Sequence, residues 1–217
     1  IIHKQGSNIK LLNCSSSEVY KGHAKYMVTE DDKNYNHLHP YSICKVFSST
    51  FVEFYRKTYN LSFSNITLFT TQSVNKNDNF LLNKINKHIK SKSKDALDIY
   101  PLNSYRNIIH PKDVCNGIMK ILEQPNGDDY LICNESNVLI KDVVIKLFEL
   151  HNINIIETDN KYIDPNTNQV YLQIKEPCNG LDTTTIDING YPDKLKKLGW
   201  NINYDIDSIL QEFVDNM

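Results

Sequence analysis

Three serines and a glutamate, Ser15, Ser16, Ser17 and Glu18, follow closely on the apolar run "IKLL", and a tyrosine four residues before a lysine comes about twenty residues later, in "HPYSICK". Serines and a carboxylate suit the end of a strand, where side chains can enter a cleft, better than its middle. Tyr41 and Lys45 share one face of a helix. A phenol is a weak base at neutral pH; an ammonium one turn away favours the phenolate and makes Tyr41 usable as a general base on a hydroxyl. A serine hydroxyl nearby can hold the same oxygen. The blander reading is an amphipathic helix with an incidental i, i+4 pair, and Y-x-x-x-K is a common spacing.

The elements that must position these residues are readable from periodicity. Ile9–Leu12 is a short buried strand ending in the serine-rich loop, and 22–38 is polar and irregular. A helix starts at Pro40, carries Phe47, Phe51, Phe54 and Thr58 on one stripe, and ends near Asn60. Ser62–Phe69, within "LSFSNITLF", alternates as a strand, and Asn79–Ser91 is a helix with Phe80, Ile85 and Ile89 inward and Lys84, Lys87 and Lys90 elsewhere. Short strands "LDIY", "NIIH" and "YLIC" then alternate with helices at 112–122 and 140–151. "NINII" and "DPNTNQVYLQI" add strands, and "PDKLKKLGW" is a helix that Gly199 stops. Strand–helix–strand order predicts an α/β fold in which Ile9–Leu12 and Ser62–Phe69 are parallel neighbours.

The 217 residues suffice for one domain or a large and a small lobe, and a net charge of -2 leaves no electrostatic footprint for nucleic acid or an anionic membrane. No apolar run approaches the roughly 20 residues of a membrane span. Five cysteines, scattered without metal-type spacing, fit a reducing compartment, so a cytoplasmic protein without a metal site is expected. Cys44 reads as a small core residue and His110 as a packed histidine. The opening "IIHKQGSNIKLL" reads as a helix tail, a turn at Gly6 and a buried strand, as if the chain entered a fold midway.

"SSSEVY" followed by "HPYSICK" resembles the extended short-chain dehydrogenase/reductase family, which acts on nucleotide sugars and shares a Ser/Thr, a Tyr and a Lys in this order. Ser16-Ser17-Glu18 matches the Ser/Thr-x-Glu of its dehydratases and decarboxylases, where many epimerases have a small residue. "EFYRKTYNLSFSNITLF", "DNFLLNKINKHI", "YRNIIHPKDV" and "KLKKLGW" are similar to runs in the GDP-mannose 4,6-dehydratases. The resemblance implies the C-terminal part of a Rossmann-like parallel sheet with covering helices (residues 1–75), and a smaller mixed α/β substrate-binding lobe (76–217) from which some segments return to the sheet.

It also implies roles. Tyr41 would take the proton of the sugar C4 hydroxyl, Lys45 would assist it and hold the cofactor ribose, and Ser16 would hold the C4 oxygen. Glu18 would remove the C5 proton and assist loss of the C6 hydroxyl as water. Thr71 and Lys76 stand at cofactor-contacting positions, for NADP or alternatively NAD. Ser17, Asn79, Lys84 and Arg106 would contact the nucleotide sugar; without the family Lys84 reads as a solvated helix face, and Asn79 equally as a helix N-cap. The family pairs such Phe-striped helices between subunits, which implies a homodimer or higher homo-oligomer. Departures are Thr70, Thr71 and Lys76 for the family's Asn, His and Arg, and "EPCNGLD" where a late arginine is expected. The glycine-rich pyrophosphate turn is absent, so this chain by itself is expected to bind dinucleotide weakly and to be inactive. A UDP-glucuronate decarboxylase, a nucleotide-sugar epimerase and a diverged binding or assembly protein are the alternatives.

Overall fold

The computed structural model describes residues 9–21, 27–33, 35, 39–176 and 188–215. In chain order these form β1 (Leu11–Ser16), a 3₁₀ turn (Ser17–Tyr20), β2 (Met27–Val28), α1 (Pro40–Tyr59), β3 (Phe63–Leu68), β4 (Thr70–Thr71) and α2 (Leu81–Lys90). Next come β5 (Leu97–Ile99), β6 (Tyr105–Arg106), β7 (Ile108–Ile109), α3 (Pro111–Glu123), β8 (Asp129–Ile132), β9 (Val138–Leu139) and α4 (Ile140–Leu150). The chain continues through β10 (Ile156–Thr158), β11 (Lys161–Ile163), β12 (Val170–Ile174), β13 (Asn189–Gly190), α5 (Asp193–Lys196) and α6 (Ile206–Asp215). The expected turn at Gly6, most of 22–38 and nearly all of "EPCNGLD" lie outside the described residues.

Two compact units result: Ile1–Thr71 with Asn107–Asn137 and Ile186–Asn203, and Gln72–Arg106 with Val138–Thr185 and Tyr204–Met217. In the first, a parallel sheet runs in the order β1-β3-β8. Leu11 pairs with Phe63 and the register holds to Ser16 opposite Leu68, so the expected β1–β3 neighbours are parallel. The strand does not stop at Leu12 as its apolar run suggests. Backbone pairing with β3 carries it through Ser15 and Ser16, whose side chains then alternate across the sheet.

One face of this sheet buries Ile66, Tyr130 and Ile132 against Val114 and Ile121 of α3, Leu195 of α5 and Trp200. The Trp200 indole donates to the main-chain oxygen of buried Asp113, and Asn203 donates to its carboxylate, which ties the 200–203 segment to the start of α3. α1 covers the other face, where Val52, Leu61 and Phe63 cluster with Leu11. Its remaining side is unlike a buried helix. Phe47, Phe51 and Phe54 are 63%, 50% and 55% exposed.

The second unit is built on a mixed sheet, β10-β11-β12-β5, antiparallel except for the parallel pair β12–β5. "NINII" enters it only at Ile156, because Asn152 takes a left-handed turn (φ 60°) that ends α4 and delays the strand. In α2 the buried positions are Leu82, Asn83, Ile85, Asn86 and Ile89. Phe80 is exposed and not inward: its backbone is extended (ψ 146°), so it precedes the helical period.

Candidate functional site

Ser16 ends β1 and caps the 3₁₀ turn, its Oγ accepting the Glu18 N–H at 3.3 Å. Buried Val19 and Tyr20 anchor that turn. Ser42 of α1 donates its hydroxyl to the Glu18 main-chain oxygen at 3.0 Å. Glu18 is therefore held by its backbone from two elements, while its carboxylate stays 49% exposed, 3.9 Å from the Lys21 ammonium. The Ser16 oxygen accepts in this arrangement, which leaves its O–H proton to donate elsewhere.

α1 starts where it does because Pro40 occupies its first turn and His39 caps it, the ring Nδ1 accepting the Tyr41 N–H at 3.2 Å. Lys45 turns back onto the sheet. Its ammonium donates to the Cys14 main-chain oxygen at 2.8 Å and lies 5.5 Å from the centroid of the Tyr41 ring. Lys45 thus meets the carboxyl-terminal half of β1, the end at which parallel sheets collect ligands, with the Tyr41 ring beside it. Cys44 is exposed, against the expectation of a core residue. The sheet side of α1 is the row Ser42, Lys45, Ser49, Val52 and Arg56, and a residue two positions from Ser42 points away from it.

Thr70 and Thr71 form β4, paired with β7; both are partly buried. In the second unit Lys76 is half-buried with its ammonium 4.0 Å from the Phe80 ring centroid, and burial pulls its pKa below the usual lysine range. Asn79 is exposed and does not cap α2; Phe80 holds the cap position, and the Asn79 N–H donates to Asn77. Lys84 is exposed with its ammonium on the Asp98 main-chain oxygen at 3.1 Å. Arg106, partly buried on β6, donates to the Tyr105 main-chain oxygen at 3.4 Å. His110 is packed, and its ring accepts the Lys112 N–H at the start of α3. Ser16, Ser17, Glu18, Tyr41 and Lys45 belong to one neighbourhood of the first unit; Lys84 and Arg106 sit on separate elements of the second. No group of three or more His, Cys, Asp or Glu side chains able to hold a metal occurs among the described residues.

The sequence model of the GDP-mannose 4,6 dehydratase family matches residues 1–213. The chain belongs to this family. Its relatives include the GDP-mannose 4,6 dehydratase of Dictyostelium discoideum, 24% identical over 95% of this chain and 60% of that protein. A second is the GDP-mannose 4,6-dehydratase of Sordaria araneosa, 22% identical over 95% of this chain and 39% of that protein. The chain thus spans between about two fifths and three fifths of these relatives' length. Among solved structures, dTDP-glucose 4,6-dehydratase from Bacillus anthracis in complex with NAD superposes with a TM-score of 0.79 at 20% identity, covering 99% of this chain and 63% of the other. RMD from Pseudomonas aeruginosa complexed with NADPH superposes at 0.75 and 14% identity, over 98% and 68%. The family's α/β architecture is the one described above. His39 and Ser42 of the site's framework escape a sequence reading, although the polar residue before Pro40 is a recognisable helix-start signal.

Proposed function

We propose that this chain is the catalytic and substrate-binding portion of a nucleotide-sugar 4,6-dehydratase acting on GDP-mannose, working as a homodimer in a reducing cytoplasm. The observation that carries this reading is the Lys45 ammonium seated on the end of β1 with Tyr41 beside it, next to the Ser16–Glu18 turn.

A nicotinamide dinucleotide, when bound, would accept the C4 hydride and return it to C6. The chain's donors fit the ribose end of such a group: a phenol and an ammonium close together at a strand's carboxyl end. Its pyrophosphate end is another matter, since the seven glycines of this sequence include no G-x-x-G-x-x-G. Tyr41 and Lys45 would hold the nicotinamide ribose, and Lys76, stacked on Phe80, would meet a cofactor phosphate; NADP is the preferred form. Tyr41 takes the proton from the sugar C4 hydroxyl, and Ser16 donates to the same oxygen. The resulting 4-ketone acidifies C5–H. Glu18, fixed by its backbone and with its carboxylate half-exposed beside Lys21, removes that proton and assists departure of the C6 hydroxyl as water. Ser17, Asn79, Lys84 and Arg106 contact the nucleotide sugar, with the guanidinium suited to diphosphate oxygens.

The test uses the protein with a glycine-rich turn supplied in the same polypeptide, given GDP-mannose and NADP. Product is the 4-keto-6-deoxy sugar without net cofactor consumption. Tyr41→Phe abolishes oxidation, with kcat down by about 10²–10⁴-fold. Glu18→Gln oxidises C4 but stalls before water leaves, so absorbance of reduced cofactor persists on the enzyme. Unchanged turnover in Glu18→Gln would remove the mechanism. GDP-mannose left untouched, while another nucleotide sugar is converted, would overturn the substrate assignment.

A further inference from the structure

α1 is attached to the sheet largely through polar groups, although it carries the pair on which the proposed chemistry depends. Asn13 of β1, Asn65 of β3 and Asp129 of β8 stand opposite one another in register, a row of three polar side chains across the sheet. They are joined. Asn13 Nδ2 donates to Asn65 Oδ1 at 2.9 Å, and Asn65 Nδ2 donates to Asp129 Oδ1 at 3.1 Å. The second hydrogen of Asn65 Nδ2 goes to the main-chain oxygen of Ser49 in α1, at 3.0 Å. Asn13 reaches the Ser49 hydroxyl at 3.3 Å. Asp129 is gripped from the helix by Arg56 at 2.8 Å, and Arg56 also donates to the Phe63 main-chain oxygen at 3.1 Å.

Asn65 is the centre of this row. Its amide oxygen receives Asn13 and its two N–H groups serve Asp129 and Ser49, which a carboxamide can do and neither a carboxylate nor an apolar group can. Asn65 is 7% exposed, so an orphaned partner there would have little water to turn to. The contact it makes with α1 is a main-chain oxygen, fixed in height and direction on the helix. A slip of one residue moves a helix about 1.5 Å along its axis and turns it by about 100°. Either motion would break that bond.

The same slip would break a second contact. Ser49 lies one helical turn from Lys45, and Asn13 lies one residue before Cys14. The Asn13–Ser49 and Cys14–Lys45 bonds are therefore adjacent rungs between the same strand and helix. We infer that Asn65 is the positioning residue for the Tyr41–Lys45 pair: clamped from both sides by Asn13 and Asp129, its carboxamide sets the height and rotation of α1 on the sheet and keeps Lys45 on the end of β1. Asn65 touches no reacting atom. It acts through the Ser49 backbone. That the pair is catalytic rests on the proposed function; that Asn65 sets its register rests on the geometry alone.

The experiment reads Lys45 directly, by limited reductive dimethylation of the 217-residue chain and mass spectrometry of each lysine. Asn65→Leu, close in shape but without hydrogen bonds, frees the ammonium from Cys14 for part of the time. Lys45 is then labelled about five- to tenfold faster, the loss of roughly one buried hydrogen bond, while Lys87 and Lys146 keep their rates. A folded Asn65→Leu variant with Lys45 unchanged overturns the inference. So does an equal acceleration at every lysine, which would mean general destabilisation. If Asn65→Leu does not fold, Asn13→Ala decides, since it removes one side of the clamp, together with the bond from Asn13 to the Ser49 hydroxyl, and leaves the Asn65 bond to the Ser49 main-chain oxygen. About twofold faster labelling confined to Lys45 supports the clamp, and no change refutes it. In the turnover assay Asn65→Leu lowers kcat and leaves KM; a rise in KM alone counts against positioning. Labelling needs no turnover, so failure to convert any nucleotide sugar would sink the proposed function and leave this result standing.

Discussion

At the scale of single residues, charge is concentrated at Asp129 and its consequences can be read by pH. Burial alone would raise its pKa, but Lys33 at 2.7 Å and Arg56 at 2.8 Å outweigh burial and hold the carboxyl below the usual carboxylate range. A carboxylate whose folded pKa is depressed contributes stability that is present above its unfolded value, about 3.9, and is lost as pH falls through the folded pKa. Urea midpoints should therefore fall steeply below about pH 4 in the wild type and more gently in Asp129→Asn. At neutral pH Asp129→Ala leaves Arg56 half-stranded and should cost about 3 kcal/mol, measured as the difference in urea midpoint multiplied by the slope. Equal acid sensitivity of wild type and Asp129→Asn would show that other carboxylates dominate. The Tyr41–Lys45 pair is legible in the sequence because its partners are four residues apart on a helix. Asp129 is not, because its partner Asn65 is 64 residues away and their meeting depends on strand order.

At the scale of elements, two glycines separate what local sequence can and cannot reveal. Gly199 has φ +80° and open space where a Cβ would stand, so it acts as the helix stop that its place after "KLKKL" advertises. Gly127, on the approach to β8, is different. A Cβ there would lie 2.1 Å from the Phe63 oxygen and 2.4 Å from its nitrogen, both backbone atoms of β3 that cannot rotate away. Asn126-Gly127 reads locally only as a turn; the close approach that excludes a Cβ comes from a strand paired from a distant part of the chain. Gly199→Ala should cost about 1 kcal/mol, from left-handed backbone strain alone. Gly127→Ala should cost about 3 kcal/mol, since relief requires β3 and β8 to separate locally. Thermal unfolding of the two variants orders them; a Gly199 variant less stable than the Gly127 variant would contradict this account. The same distinction explains β1. Its apolar letters end at Leu12, yet pairing with β3 continues to Ser16, and that continuation places the serine-rich turn at the sheet's end.

At the scale of the whole molecule, the aromatic side of α1 is its exposed side, and the proposed homodimer would cover it. Phe47 and Phe51 lie 4.7 Å apart between centroids, Phe51 and Tyr55 6.2 Å, and Tyr55 and Tyr59 5.5 Å, forming a continuous aromatic ridge along the exposed side of the helix. A contiguous apolar patch of this kind marks an interaction site. Sequence periodicity exposes the ridge, but it does not say that the polar side faces the sheet; that follows from the Asn65 row and Arg56. Under the proposed homodimer the ridge meets its own copy across a two-fold axis, so each substitution acts twice. Sedimentation equilibrium at micromolar concentration should give a dimer. Phe47→Glu combined with Phe51→Glu should give a folded monomer with unchanged helix content, since both rings are already out of the core. Burying each ring contributes about 1.5–3 kcal/mol, so removing them on both subunits should weaken association by more than roughly a thousandfold. A wild-type monomer under these conditions would reject self-association through α1. A dimer that survives both substitutions would place the interface on another surface and leave the ridge for a different partner.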